Sequence, residues 1–327
     1  MNKMAKMLLT AALTVAMGVG MTASAETVVK LGTTVNEKDS FHVAALKFAE
    51  LVNERTAGEY VIEIHPNGEL GGEAEMLDDM SMGLLDMGII TAGPFVNFSK
   101  MMGVLDMPFL FASNEEAYTI LDGEIGSELL DTLEAANLKG LAYAERGFRN
   151  ISNAVKEVTN AADVENMKLR VMENEVYNKT FKTLNVNAVP MGWQDALVAL
   201  QQGTVDGQEN PINVFYSYSL WDYNQKYLTL DRHSYSTAII TMSLDLWNSL
   251  DEETQKVFKQ AAQEAAEHER AWVAEQEGAQ LATIKEHGVV VCEAPDADSF
   301  RAAVGPVYEA YPQYAEYISR IQAALAK

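Results

Sequence analysis

The segment between Glu145 and Pro211 decides how this sequence is interpreted. It reads ERGFRN at 145–150, MKLRVMEN at 167–174, VPMGW at 189–193 and VDGQENP at 205–211. Two arginines, an aromatic side chain and an amide each stand where the pattern predicts that a strand gives way to a loop or helix. In an acidic chain, arginines at strand ends predict a small organic anion held in a cleft.

The charge of the chain limits its partners. Its 24 Lys and Arg residues stand against 47 Asp and Glu residues, a formal net charge of −23. This argues against nucleic acid, which needs a basic face, and against an anionic membrane surface. An anion site in such a chain must be a local concentration of positive charge. The length predicts roughly two domains.

The first 25 residues have the pattern of a secretory signal peptide. Lys3 and Lys6 form a positive start, Met7 to Met21 is apolar, and ASA at 23–25 is a cleavage site. The alternative is a membrane anchor, but the apolar run is shorter than the roughly 20 residues that span a bilayer. We therefore expect cleavage after Ala25 and a mature chain in the periplasm.

Alternating strands and helices predict an α/β fold. The predicted strands are 27–33, 60–65, 86–91, 138–144, 150–154, 167–172, 188–191, 227–230, 236–243 and 289–292, and 203–208 is a turn into a further strand. Helices are predicted to begin after Ser40 and after the LGG of 70–72, and to cover 115–133, 175–184 and 194–202. Asp251 to about His287 is a long helical pattern. Either one helix crosses both domains, or two helices meet near Gly278.

The sequence has no signature of a cofactor, metal or nucleophile. It lacks a P-loop, a dinucleotide-binding glycine pattern, G-x-S-x-G and the H-E-x-x-H spacing. Its one cysteine, Cys292, follows three valines and is expected to pack inside a strand. We therefore expect a protein without cofactor or metal.

Arg170 carries the sharpest chemical signal. It lies inside the apolar strand LRV at 169–171, where an unpaired guanidinium is costly to bury. Either a glutamate in a salt bridge or a ligand carboxylate could satisfy it. Arg149 has the same two alternatives, and together the arginines could clamp a carboxylate.

Three further side chains are open to two interpretations. Trp193 and Phe95, each taken alone, are more often core residues than stacking surfaces. Asn210 precedes Pro211 and is therefore held extended, which would fix the direction of its amide. The alternative for Asn210 is a simple turn amide.

The chain resembles the solute-binding subunit of tripartite ATP-independent periplasmic (TRAP) transporters, of the dicarboxylate-receptor type. The similarity covers nearly the whole mature chain. Its blocks are LGGE at 70–73, EML at 75–77, GFRN at 147–150, KLRV at 168–171, VPM at 189–191, ALQQG at 199–203 and VDGQENP at 205–211. The last block, which follows LQQ at 200–202, is the most specific.

The resemblance implies a two-domain periplasmic-binding-protein fold, with hinge strands, a long bracing helix and a ligand in the cleft. We assign 26–146 with 236–276 to α/β domain I, and 147–235 with 277–327 to α/β domain II. Arg170 matches the arginine that pairs with the ligand carboxylate, and Arg149 matches a second cleft arginine. Trp193 matches an aromatic position that lines the pocket, and Asn210 matches an amide that contacts the ligand.

The resemblance also implies that three more residues lie near the end of the ligand that is remote from the arginines. Glu173, followed by Asn174, falls where the family varies with substrate, and Thr91 and Phe95 fall at the first domain's contribution to the cleft. Glu173 could meet a hydroxyl or an amino group, and Trp193 could narrow the pocket or stack on a ring.

We therefore expect a monomeric receptor rather than an enzyme. It would capture an organic acid, such as a C4-dicarboxylate, a sugar acid or an aromatic or 2-oxo acid, and deliver it to the TRAP permease for uptake driven by an ion gradient. Two other classes stay open. A secreted enzyme acting on an organic acid would use Glu173 or Glu145 as base, and a sensory receptor would present its closed form to a membrane kinase.

Overall fold

The computed structural model describes residues 26–326, so the predicted signal peptide lies outside the described residues. The strands are β1 Thr27–Gly32, β2 Tyr60–His65, β3 Met87–Thr91, β4 Leu138–Asn153, β5 Lys168–Val171, β6 Asn187–Pro190, β7 Gly207–Asn210, β8 Tyr227–Ser243 and β9 Val290–Cys292. The helices are α1 Ser40–Arg55, α2 Glu73–Ser81, α3 Asn114–Leu121, α4 Glu124–Asp131, α5 Glu175–Thr183, α6 Trp193–Gln202, α7 Ile212–Ser217, α8 Leu244–Ser249, α9 Glu252–Glu286, α10 Ala297–Ala310 and α11 Ala315–Leu325.

The strands form one sheet in the order β2-β1-β3-β8-β4-β7-β5-β6, and β9 pairs with β8. β1 pairs in parallel with β2 and β3, and β5 pairs in parallel with β6 and β7. The antiparallel strands β4 and β8 lie between these two parallel groups. The sheet therefore consists of two α/β units that share a central pair of strands.

The two central strands are longer than the sequence pattern predicts. β4 joins the predicted strands 138–144 and 150–154, and β8 joins 227–230 and 236–243, so the prediction of separate strands is wrong. The β4–β8 pairing shifts register at Glu145/Gly147 and Arg149/Ile151. Gly147 has φ +99°, a conformation that a residue with a side chain rarely adopts. These bulges interrupt the alternation of side chains without ending the strand.

The bulges lie where the two units meet. β3 pairs with residues 238–242 of β8, and β7 pairs with residues 150–153 of β4. The predicted domain boundaries at 146/147 and 235/236 fall between these two sets of pairings. The boundaries themselves stay a prediction.

α9 is one continuous helix of 35 residues. At 1.5 Å per residue it extends about 50 Å. Gly278 does not end it, although a glycine inside a helix costs up to about 1 kcal/mol relative to alanine. The first half of α9 packs with α1 and the sheet in one apolar core, through Phe258, Ala261 and Ala265. Its later turns lie beside α7 in the other unit, so α9 braces both units.

The predicted helix 115–133 is two helices, α3 and α4, followed by a 3₁₀ turn at 132–136. Gly123 precedes α4 as its N-cap. A Cβ atom at Gly126 would lie 1.9 Å from the carbonyl oxygen of Leu121, so only glycine allows this tight junction. The single-helix prediction is wrong because two glycines permit a sharp change of direction.

The C-terminal helices contact both units. α10 packs against α5, and α11 packs against α3 and α4. Arg320 of α11 binds Glu128 of α4 with two hydrogen bonds of 2.7 Å. Within residues 26–326, no helix combines the length and the apolar character needed to cross a membrane.

Candidate ligand-binding site

A cavity of about 480 Å³ lies between the end of β5, the start of α2 and the start of α6. This volume falls in the usual range for small-molecule sites. Among its lining residues are Arg170 in β5, Glu173 just after that strand, Glu73 in α2, and Trp193 and Asp195 in α6. The first turns of α2 and α6 border the cavity, and the N-terminus of a helix favours an anion.

Arg170 is a buried cation that forms no salt bridge among the residues that the structure describes. Its side chain is 4% exposed, and its Nε and Nη2 atoms donate to the carbonyl oxygen of Met191 at 3.0 and 2.7 Å. The guanidinium lies 5.6 Å from the ring centroid of Trp193. Burial lowers the pKa of Arg170 to about 10, so it is still protonated at neutral pH. Within residues 26–326 it forms no salt bridge, which leaves a desolvated positive charge at the cavity wall.

Four carboxylates line the same cavity. Glu73 accepts hydrogen bonds at one oxygen from the main-chain N–H of Thr91 (2.9 Å) and from its hydroxyl (2.7 Å). Thr91, which is 3% exposed at the end of β3, therefore orients Glu73 toward the cavity. Glu75, whose carboxylate accepts from the main-chain N–H of Gly72 at 2.9 Å, and Glu173 and Asp195 also line it. Sequence reasoning missed Glu73 and Asp195, although the LGGE block and the helix start after Gly192 were available as signals.

Arg149 lies in a buried ion pair. Its side chain is 1% exposed, its Nε pairs with Glu209, and its Nη2 donates to the other Glu209 carboxylate oxygen at 2.9 Å and to Asn210 Oδ1 at 3.0 Å. His233 Nε2 lies 3.3 Å from Glu209, and His233 Nδ1 lies 2.8 Å from Asp231. These side chains form one buried chain of alternating charge.

The charges in this chain stabilise one another. Burial alone would raise the pKa of Glu209, but Arg149 and His233 outweigh it and lower that pKa to about 2. Burial alone would lower the pKa of His233, but Asp231 and Glu209 outweigh it and raise that pKa to about 9. For Arg149 the glutamate partner is therefore present, whereas for Arg170 it is not.

The predicted site residues lie in three places. Arg170, Trp193 and Glu173 line the cavity, and Thr91 lies behind Glu73. Arg149 and Asn210 belong to the buried ionic network, and Asn210 is 4% exposed. Phe95 is fully buried in the apolar core. Contact of each of these residues with a ligand stays a prediction.

Glu145 and Glu269 are two buried carboxyls on the central strand β4 and the bracing helix α9. The main-chain N–H of Glu145 donates to Glu269 at 2.9 Å, and Asn114 and Tyr118 donate to the carboxylate of Glu145. Burial raises the pKa of Glu145 to about 7, and burial together with the nearby Glu145 raises that of Glu269 to about 8. Both carboxyls therefore bind a proton more tightly in the folded than in the unfolded chain.

We expect the melting temperature to fall as pH rises from 6 to 9. The stability contributed by a carboxyl with a raised folded pKa is present below its ordinary pKa and is lost as pH rises through the folded value, here about 7 to 8. Thermal unfolding in buffers across this range measures the effect. Glu269→Gln, which cannot ionise, is expected to flatten the slope. A parent melting temperature that is constant or rises from pH 6 to 9 contradicts the prediction.

Comparisons with known proteins agree with this architecture. The family described as DctP, bacterial extracellular solute-binding protein, family 7, matches residues 31–314. The 2,3-diketo-L-gulonate-binding periplasmic protein YiaO of Escherichia coli (strain K12) is 34% identical over 84% of this chain and 84% of its own length. The C4-dicarboxylate-binding protein DctB of Bacillus subtilis (strain 168) is 30% identical over 87% of this chain and 82% of its own length.

A solved structure of a solute-binding protein has the same architecture. The TRAP periplasmic solute-binding protein from Polaromonas sp. JS666, bound to D-erythronate, has a TM-score of 0.89 and 38% identity, and the match covers 91% of this chain and 99% of that chain. The predicted periplasmic-binding-protein fold with a long helix is thereby confirmed.

Proposed function

Because the chain belongs to family 7 of the bacterial extracellular solute-binding proteins, we propose that it receives a short hydroxylated monocarboxylate, of the sugar-acid type, in the cavity beside Arg170. The protein is the organic-acid-binding subunit of a TRAP transporter. The proposal concerns which acid it binds and which residues bind it.

One observation carries the proposal. Arg170 presents a buried, protonated guanidinium that forms no ion pair within residues 26–326, at the wall of a cavity of ligand size. A carboxylate would supply the missing counter-ion through charge-assisted hydrogen bonds. Trp193 beside it offers an apolar wall for the carbon chain of the ligand.

The other lining charges favour hydroxyl groups over a second carboxylate. Four carboxylates line the cavity, those of Glu73, Glu75, Glu173 and Asp195, whereas Arg170 is the arginine among the lining residues. The second carboxylate of a C4-dicarboxylate would meet like charges, which costs several kcal/mol when they are desolvated. Hydroxyl groups would instead donate to these oxygens. One similar protein is named for binding C4-dicarboxylates, and another is solved with bound D-erythronate. The excess of carboxylates in this cavity favours a hydroxylated monocarboxylate such as D-erythronate.

The finer parts of the function are also proposals. We infer that residues 1–25 direct export and are cleaved after Ala25, and that residues 26–146 with 236–276 close over the rest of the chain as a separate domain. We further infer that the receptor is monomeric and leaves its ligand unchanged. The tests are an intact mass beginning at Glu26, a single-subunit mass in light scattering, and an unaltered ligand spectrum after prolonged incubation.

A thermal-shift panel tests the substrate class. We expect D-erythronate, D-galactonate or D-glucuronate to raise the melting temperature by about 5–10 °C at a hundred times its dissociation constant, because a ligand that binds only the folded state stabilises it by about 2.7 kcal/mol at that concentration. Calorimetry then gives the affinity.

Two control compounds separate the contribution of the ligand carboxylate to binding from that of its hydroxyl groups. Erythritol, which has hydroxyl groups but no carboxylate, and succinate, which has two carboxylates and no hydroxyl, are expected to produce no shift. Binding of succinate without binding of any hydroxylated acid would rule out the proposed substrate class.

A further inference from the structure

Asn174 stands four residues after Arg170 and is not among the residues that line the cavity. Its Oδ1 atom accepts hydrogen bonds from the main-chain N–H groups of Val176 (2.8 Å) and Tyr177 (3.0 Å). These bonds cap the N-terminus of α5. The side chain is 4% exposed, so its amide group needs hydrogen-bond partners within the protein.

Those partners lie in the segment after β3, which the predicted boundaries assign to domain I. Asn174 Nδ2 donates to the carbonyl oxygen of Gly93 and to the carboxylate of Asp106, both at 2.8 Å. Gly93 follows β3 and precedes Pro94, which lines the cavity. Asp106 is 2% exposed and forms no ion pair within residues 26–326. One amide group therefore joins the segment after the ligand arginine to two points in the predicted domain I.

The segment after β3 approaches the end of β5 closely at this point. A Cβ atom at Gly93 would lie 2.7 Å from the Met172 Cε atom and 3.6 Å from Asn174 Nδ2. Met172 lies between Arg170 and Asn174 and lines the cavity. The absence of a side chain at residue 93 lets the chain after β3 come against the end of β5. The contact is therefore direct and adjoins the ligand site.

We propose that Asn174, Gly93 and Asp106 form an interdomain clasp, so that Asn174 sets ligand affinity by holding the domains closed without touching the ligand. The inference rests on the proposed function, because the clasp adjoins the cavity proposed for the acid. When the domains separate, Asn174 exchanges both donated bonds for water and Asp106 loses its amide donor. Apparent affinity is proportional to the population of the closed state, so the clasp strengthens binding.

Asn174→Asp breaks the clasp and keeps the helix cap. Aspartate is as good an N-cap as asparagine, but it donates neither bond and places a second carboxylate against Asp106. We expect affinity for the tightest-binding acid of the panel to fall roughly tenfold to a hundredfold, mainly through faster dissociation. Stopped-flow fluorescence and calorimetry measure this. Asn174→Ser, which also caps, is a second variant should the aspartate impair folding.

Asn160→Asp is a matched control. Asn160 also caps a helical turn, accepting from the main-chain N–H of Ala162 at 3.0 Å, and its Nδ2 donates to an aspartate, Asp163, at 2.9 Å. All these contacts stay within one short segment. The same substitution here removes an amide donor and adds a charge without touching the junction between units. We expect parental affinity and dissociation rate.

Interdomain distance tests the clasp independently of ligand identity. Spin labels at the exposed positions Asn53 in α1 and Gln201 in α6, in a Cys292→Ser background, report the separation of the units. We expect Asn174→Asp to shift the distances to longer values with and without acid. Adding Asp106→Asn restores the bond between 106 and 174 in the reverse direction and should recover part of the change.

Two results are decisive. A distance distribution and dissociation rate equal to those of the parent in Asn174→Asp would overturn the clasp. A parent that binds no acid of the panel refutes the proposed function instead, and the label distances then still decide whether the clasp holds the units together.

Discussion

Replacing Arg170 with alanine is expected to weaken ligand binding by at least about a hundredfold. A guanidinium that holds a carboxylate through two charge-assisted hydrogen bonds contributes about 1.5–3 kcal/mol for each bond. Arg170→Lys should also weaken binding, because a point charge cannot reproduce the planar fork of arginine. Calorimetry with the tightest-binding acid measures both variants, and an unchanged dissociation constant in Arg170→Ala would remove this residue from the site.

The same substitution should leave the fold intact. Arg170 is 4% exposed and forms no salt bridge in the described part of the chain, so alanine removes a desolvated charge and leaves no ion-paired carboxylate behind. The ligand-free variant should therefore melt at or above the parental temperature. Lys168→Ala is the matched control, since Lys168 lies on the same strand with an exposed side chain and should keep parental affinity. Loss of folding in Arg170→Ala would instead indicate a structural role.

Replacing Glu209 with alanine is expected to lower the free energy of unfolding by about 3–5 kcal/mol, because breaking a buried ion pair leaves uncompensated charge in the interior. Arg149 and His233 both contact Glu209, and both are 1% exposed. Denaturant unfolding without ligand measures the loss. Arg149→Ala should produce a loss of similar size, since it leaves Glu209 with His233 as its one ionic partner.

A double variant separates the effect of the Arg149–Glu209 ion pair on stability from the effect of side-chain packing. Arg149→Met with Glu209→Leu removes both charges and keeps apolar volume, so it should be less destabilised than either single alanine variant. Single variants that lose less than about 1 kcal/mol would contradict the structural role. If Arg149→Ala is as stable as the parent and loses only ligand binding, Arg149 acts as the second ligand arginine that its sequence position predicts.

Local sequence signals predicted the elements that form the two units. The apolar spacing after Ser40 and Asp251 predicted α1 and α9, and Gly278 alone left the continuity of α9 open. The central strands could not be predicted at full length. The bulge at Gly147 breaks the two-residue alternation that identifies a strand, and the long-range pairing of β4 with β8 keeps the strand continuous.

The sequence by itself determined the class of protein. Its acidity argued against nucleic acid, its strand and helix order predicted an α/β fold, and its motif blocks predicted a TRAP solute-binding protein, which the comparisons confirm. It also identified Arg170 as a buried cation in need of a partner.

Only the tertiary structure decided which arginine receives which partner. Arg149 and Arg170 look alike in sequence, each near a predicted boundary between a strand and a loop or helix. The antiparallel register of β4 and β7 places Glu209 opposite Ile151, two positions after Arg149, and so gives Arg149 a carboxylate that lies 60 positions away. Within residues 26–326 no carboxylate forms a salt bridge with Arg170, which borders the cavity instead. Local pattern cannot encode this difference, because strand register is a property of the folded sheet.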